Sequence, residues 1–234
     1  MRALLFFAAA IAVTLAAPVA EAASAAQAAR ARQCGLDPAA VARSVQLEPV
    51  LRSFPAQARF ASRGRGGFQV IAFTDYSCPT CKAWVPQLRA MVQEAPDVRV
   101  EAVEHPIFGR TVVSTLTGNK TLQASRLALA ALERGGPERY FRFHDALMAD
   151  RGGVSEADIA KAAAVARLDL AALRRTAAGA SVTAALERNL ALVKALGANG
   201  TPVLIADGVF IAPTAQGRAH IACLLGGWRR AQRG

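Results

Sequence analysis

The sequence predicts an α/β fold in which a helical module interrupts one sheet and a helical extension precedes it. Three observations carry this. The apolar runs Phe68–Phe73, Val98–Val103 and Thr201–Ala206 read as strands. The stretch between the second and third, from about Asn119 to Leu196, has helical spacing almost throughout. Asp207-Gly208 then joins two apolar runs with a two-residue hairpin signal. The predicted order is β-α-β, helices, β-β-α.

The chain of 234 residues is long enough for one good-sized domain. It starts with Arg2 and an apolar run from Ala3 to Ala17, shorter than the roughly 20 residues of a membrane span. Pro18 and two small-x-small sites follow, Ala20-Glu21-Ala22 and Ala23-Ser24-Ala25. This is the layout of a secretory leader over residues 1–22, with cleavage as late as 25. The expectation is an exported, soluble protein; a retained anchor is the alternative.

Residues 23–66 read as an Ala-rich linker that becomes helical at Asp37-Pro38, a cap followed by proline in the first turn. Pro49 and Pro55 are expected to interrupt it. Ser62-Arg63-Gly64-Arg65-Gly66-Gly67 is basic and flexible, and the main domain, 67–234, is expected to begin after it. Phe68–Phe73 is then the first strand, and Pro79–Glu94 a helix with Pro86 inside it, where a kink is expected. Val98–Val103 roughly alternates apolar and polar residues, as a half-buried strand does. In the helical stretch, Gly135-Gly136-Pro137 and Gly152-Gly153 are expected breaks, and Ser155-Glu156-Ala157-Asp158 a helix entrance. Pro202 lies near the start of the third strand, where a missing donor is tolerated. Residues 215–230 fit a closing helix.

Charge narrows the function. Lys and Arg number 28 against 17 Asp and Glu, a formal net charge of +11. The arginines are scattered and aromatics few, so nucleic acid is not expected as a partner; a basic, solubilising surface is. The chemistry concentrates at Cys78-Pro79-Thr80-Cys81, between the first strand and a helix. At a helix amino terminus, unpaired N–H groups and the helix dipole stabilise a thiolate, taking its pKa from about 8.5 toward roughly 3.5–7. Cys78 is the candidate nucleophile; Cys81, one turn later, is placed to resolve a mixed disulfide; Pro79 and Thr80 bring no charge. No second CxxC or close histidine pair completes a four-ligand zinc site, and His105, His144 and His220 stand apart, so no metal is expected. Trp84 and the aromatics at 140–143 are expected in the core. In an oxidising compartment Cys34 and Cys223 suggest a second disulfide, closing a very long loop. Cys34 linking two chains, and Cys223 buried as a small hydrophobe, are the rivals.

Several stretches together resemble the DsbA-like thiol:disulfide oxidoreductases, which have a thioredoxin fold with a helical insertion. They are Phe73-Thr74-Asp75-Tyr76-Ser77-Cys78-Pro79-Thr80-Cys81, Glu104-His105-Pro106-Ile107-Phe108-Gly109, the Tyr140–Met148 stretch containing Phe143-His144-Asp145-Ala146-Leu147, and Gly200-Thr201-Pro202. The resemblance covers roughly 68–230, places the insertion at about 113–196, and looks most like the ScsC-type subgroup. It implies a redox-active disulfide with no small-molecule cofactor, a cis Pro202 beside that disulfide, and Thr201 offering its backbone to an extended substrate. It also implies periplasmic protein substrates and a membrane redox partner that resets the pair. Threonine before the proline leans toward isomerase or reductase behaviour, and isomerases of this kind are often oligomers. The extension then supplies an interface or wraps its own domain.

One position departs from the family. A buried carboxylate is often found six residues before the first cysteine, to shuttle protons to the second; here it is Ala72. Asp75 is nearer Cys78 but expected on the exposed side. Glu104 is the candidate substitute, against the simpler role of capping a turn. A second class of function also fits the thiols: an exported chaperone or copper-binding module holding Cu(I) between them.

Overall fold

The computed structural model describes residues 25–53, 60–108, 120–150 and 152–233. The leader, Pro55 and Gly109 lie outside these. The elements are α1 (25–33), α2 (Pro38–Ser53), β1 (Ala61–Arg63), β2 (Phe68–Thr74), α3 (Pro79–Glu94), β3 (Val98–Glu104), α4 (Thr121–Ala149), α5 (Glu156–Val165), α6 (Leu170–Ala177), α7 (Ala180–Ala195), β4 (Val203–Ala206), β5 (Val209–Ile211) and α8 (Gly217–Ala231). The five strands form one sheet in the order β1-β3-β2-β4-β5. This is the α/β thioredoxin fold with a helical insertion that the sequence implied.

Register explains why the site forms where it does. β2 and β3 run parallel, with Phe68 opposite Val98 and Thr74 opposite Glu104, so both end level. β4 is antiparallel to β2 and begins with Val203 opposite Phe73. The loop before β4, the loop after β2 and the end of β3 therefore meet at one end of the three central strands. Alternation along the strands splits the core between faces. Val70, Ala72, Val100, Leu204 and Ala206 pack with Trp84, Leu88, Ile221 and Leu224 of α3 and α8. Ile71, Phe73, Val103 and Ile205 pack with Leu192, Val193 and Leu196 at the end of α7, and with Leu47 and Val50 of α2. The hairpin is closed by Asp207 and Gly208, both at positive φ (47° and 74°), with Ala206 opposite Val209. Such a two-residue loop matches the twist of its strands.

Three expectations need correction. The sheet begins before residue 67, because Ala61, Ser62 and Arg63 pair antiparallel with Ala102, Glu101 and Val100. Nor do residues 25–33 form a linker: they are α1, and the extension wraps its own domain, one of the two uses expected for it, with Ala28, Ala31, Leu36 and Val41 buried in the same cluster as β2 and α8. Pro49 does not interrupt α2. The carbonyl it deprives of a donor is that of Val45, a residue 40% exposed, so water can replace the lost bond. The expected break at Gly135-Gly136-Pro137 is present, and α4 is two helical segments that meet there at a kink. Gly136 takes φ 68°, ψ −173°, and α4 resumes with Pro137 in its new first turn.

At the far side of the molecule α1 is joined to α8 by a disulfide between Cys34 and Cys223, with S–S 2.06 Å. Arg30 Nη2 donates to Asp207 Oδ2 at 2.7 Å, and Gln27 Nε2 donates to the Asp207 carbonyl. These contacts matter because the apolar face of α1 is mostly alanine, which buries little area.

Candidate active site

Cys78 is the N-cap of α3, at φ −82° and ψ 116°, with Pro79 in the first turn. Its sulfur accepts from the Cys81 N–H at 3.3 Å, and as a thiol it donates to the Thr201 carbonyl at 3.2 Å. Both cysteines are free and buried, Cys81 fully and Cys78 with 3% of its surface exposed; Pro79 and Thr80 are exposed. The Cys78 thiol is pulled down to about 6, chiefly by a hydrogen bond from the Cys81 thiol, helped by Thr201 and the N–H groups of Cys81 and Thr80, and opposed by burial. Burial, then the neighbouring Cys78 sulfur, pushes the Cys81 thiol strongly up. The pair is therefore split: one sulfur is a thiolate at neutral pH and the other a thiol.

The Thr201–Pro202 peptide is cis. The Thr201 hydroxyl is buried without a hydrogen-bond partner among the described residues, and it favours the thiolate of either cysteine. Beside it lies an open groove of about 430 Å³, whose walls include Asn199, Thr201, Pro202, Phe210, Pro213 and Arg43 of α2. Arg43 is held there by bonds to the carbonyls of Leu196 and Gly197 and by its position 5.0 Å over the Phe210 ring.

Asp75 is not on the exposed side. It is completely buried, and three donors converge on its carboxylate, one from its own loop and two from distant segments: Ser77 N–H at 2.7 Å, Phe108 N–H at 2.9 Å and the Thr121 hydroxyl at 2.9 Å. Burial raises its pKa, and these bonds oppose the rise.

Glu104 is buried at the end of β3, under the helical module. Its Oε1 accepts from Tyr76 at 2.8 Å and from Tyr140 at 2.6 Å, and its carbonyl from Asn189. The Tyr76 oxygen is also 3.0 Å from His144 Nδ1. With the Tyr76 proton given to Glu104, His144 Nδ1–H becomes the donor to Tyr76, which fixes the tautomer. Burial lifts Glu104 to about 7 and lowers His144 to about 4, so the histidine is neutral. The network ties Tyr76, two residues before Cys78, to the middle of α4. Glu104 makes these bonds to tyrosines, not to a cysteine. Tyr140 thus belongs to the core, as expected, with His144 beside it; Tyr140 is bonded to the buried carboxylate directly and His144 through Tyr76, and their i, i+4 spacing on one helix face was the available signal. Thr121 had none.

Among the described residues no cluster of three or more His, Cys, Asp or Glu side chains is arranged to hold a metal ion, and no helix is long and apolar enough to cross a membrane.

A split pair of thiols at a helix amino terminus, faced by a cis-proline loop on a five-stranded mixed sheet, defines a thiol:disulfide oxidoreductase of thioredoxin fold. The DSBA-like thioredoxin domain matches residues 69–222, and the chain belongs to that family. Solved structures agree. A thioredoxin-like oxidoreductase from Silicibacter pomeroyi DSS-3 is 28% identical over 77% of this chain and 96% of its own, with TM-score 0.62. The catalytic domain of Proteus mirabilis ScsC is 23% identical over 78% and 98%, also at 0.62. The thiol-disulfide exchange protein alpha-DsbA2 from Wolbachia pipientis is 20% identical over 84% and 98%, at 0.66. No curated protein sequence is significantly similar to the chain.

Proposed function

We propose that the protein is exported to the periplasm and exchanges disulfides with protein substrates through Cys78 and Cys81. The supporting observation is the split of the pair, with a Cys78 thiol lowered to about 6 beside a raised Cys81. In the oxidising direction, a substrate thiolate attacks the Cys78 sulfur of the Cys78–Cys81 disulfide and Cys81 departs, taking up a proton. A second substrate thiolate then attacks the substrate sulfur of the mixed disulfide and releases Cys78 as its stable thiolate. Two electrons pass from substrate to enzyme. In the reducing direction the same steps run backwards, and Cys81 must lose its proton to resolve the mixed disulfide. Which direction dominates is set by the partner that resets the pair, and a membrane redox protein is proposed for that task.

Thr201 and Pro202 are proposed to seat the substrate chain, its backbone against the Thr201 carbonyl. Glu104 is proposed to exchange the Cys81 proton through the buried polar network, in place of the carboxylate absent at Ala72. If Glu104→Gln leaves the pH dependence of thiol exchange unchanged, that role is excluded. Export is supported by the leader-like residues 1–22, and an intact mass starting between residues 23 and 26 would test it. Oligomerisation through the extension is proposed only for surface that α1 and α2 do not already use on their own domain. Insulin reduction and refolding of a scrambled substrate, run against Cys78→Ser/Cys81→Ser, test the whole reading: no exchange above the double variant would end it.

A further inference from the structure

We propose that Asp75 is a positioning residue of the redox pair: its carboxylate clips the Cys78 loop, the turn after β3 and the head of α4 together, and so fixes the backbone that presents the Cys78 sulfur. This rests on the exchange function proposed above and assigns a role that the CxxC spacing does not reveal.

The geometry is a three-way junction. Oδ1 accepts from Ser77 N–H within the loop and from the hydroxyl of Thr121, the first residue of α4; Oδ2 accepts from Phe108 N–H in the turn after β3. The Asp75 carbonyl accepts from Cys78 N–H at 3.1 Å, and its own N–H favours the Cys81 thiolate. Three donors on two oxygens suit the ionised carboxylate, since a protonated one turns a donor toward donors. Ionised Asp75 has no ion-pair partner within salt-bridge distance among the described residues, and the nearest cationic influence is Lys82, whose Nζ donates to the Gly152 carbonyl. An unpaired buried carboxylate is costly unless its bonds are made, so the junction holds only when all three segments are in place.

The consequence for Cys78 follows from its own partners. The sulfur is held by N–H groups at the start of α3, and these face it only while Cys78 keeps its extended N-cap conformation. Asp75 fixes both residues before and at that cap, through Ser77 N–H and Cys78 N–H. As a charge, though, Asp75 repels a nearby thiolate. Positioning and charge therefore act on Cys78 with opposite signs, and that makes the role measurable.

The experiment is pH-dependent alkylation of reduced wild-type protein, Asp75→Ala, Asp75→Asn and Thr121→Val, with thermal unfolding and insulin reduction alongside. Asp75→Ala loses all three bonds, and its alkylation midpoint is expected to rise; at pH 5 a rise of one pH unit slows the reaction about tenfold. Asp75→Asn keeps an oxygen for Ser77 and Thr121 but turns an amide donor toward Phe108, and is expected between wild type and Asp75→Ala. Thr121→Val removes one donor with the charge intact and is expected to raise the midpoint by less. Midpoints that fall in both Asp75 variants would show a purely electrostatic role and overturn the proposal. Unmoved midpoints with lower melting temperatures would show a merely structural one and overturn it too. If Asp75→Ala does not fold, the other two variants decide: raised midpoints support the junction, unmoved or lowered ones refute it. Wild type without insulin reductase activity would instead refute the exchange reading, while the midpoints would still report on Asp75.

Discussion

The sulfur of Cys78 lies 3.2 Å from the carbonyl oxygen of Thr201, a residue 123 positions later in the chain. The contact joins the end of β2 to the start of β4 and places the reactive atom where an extended substrate would lie. The same threonine turns a buried, unpartnered hydroxyl toward the thiols. Thr201→Val keeps the carbonyl and the shape but removes that donor. The alkylation midpoint of Cys78 is expected to rise above about 6, by up to one pH unit. A midpoint that stays put would show that the hydroxyl does not reach the sulfur.

The strongest single influence on Cys78 is the Cys81 thiol. Cys81→Ala should raise the midpoint further than Thr201→Val, while Cys81→Ser, which retains a donor, should raise it less. Both variants should accumulate a mixed disulfide with a substrate protein, visible on non-reducing gels, since nothing resolves it.

A Cys78 thiol at about 6 falls between the values of about 7 and about 3.5 known for reductive and strongly oxidising CxxC pairs. Stabilising the thiolate stabilises the reduced pair, so the potential should fall between about −270 and −120 mV, nearer the first, at about −230 mV. Equilibration with glutathione measures it. A value below about −250 mV would mark a reductant and contradict the hydrogen bonding that lowers Cys78.

Glu104 gives a pH dependence of stability with a definite sign. Its folded value, about 7, lies above the ordinary 4.5, so between these the folded state binds the extra proton. Stability is therefore lost as pH rises through that window. His144, lowered from 6.5 to about 4, works the other way over an overlapping range. Comparing wild type with Glu104→Gln cancels the histidine. The wild type should lose stability relative to the variant from pH 4.5 to 7, on the order of 3 kcal/mol in total. Urea unfolding at several pH values reads this difference, and a flat one would place Glu104 at an ordinary value.

Replacing Cys34 and Cys223 together by serine opens a loop spanning 189 residues. The chain-entropy account gives a loss of about 5 kcal/mol. Cys34 packs in a different apolar cluster from the one that holds Cys78, so the Cys78 midpoint should not move.

What was legible in the sequence was what is local. Strand and helix periods showed β2, α3, β3 and the hairpin, and the CxxC spacing located the thiols, because these depend on neighbours a few residues away. β1 was missed: Ala61-Ser62-Arg63 is three residues long with no alternation, and only pairing with β3 makes it a strand. Asp75 was misplaced for the same kind of reason. A carboxylate in a turn is ordinarily solvated, and this one is buried by Phe108 and Thr121, 33 and 46 residues away. Tyr140 was readable as core, but that it and His144 serve Glu104 depends on how α4 crosses the end of β3.

The disulfide between α1 and α8 has a bearing on how the protein is made. A chain synthesised from its amino end presents Cys34, then Cys78 and Cys81, and only much later Cys223. The first cysteine must pass over two reactive neighbours to reach the last. Pairing in order of emergence would join Cys34 to Cys78 and disable the enzyme at birth. The fold therefore requires its first and last cysteines to find each other across a reactive pair, and a copy that holds the Cys34–Cys223 bond is one whose Cys78 has escaped that wrong match.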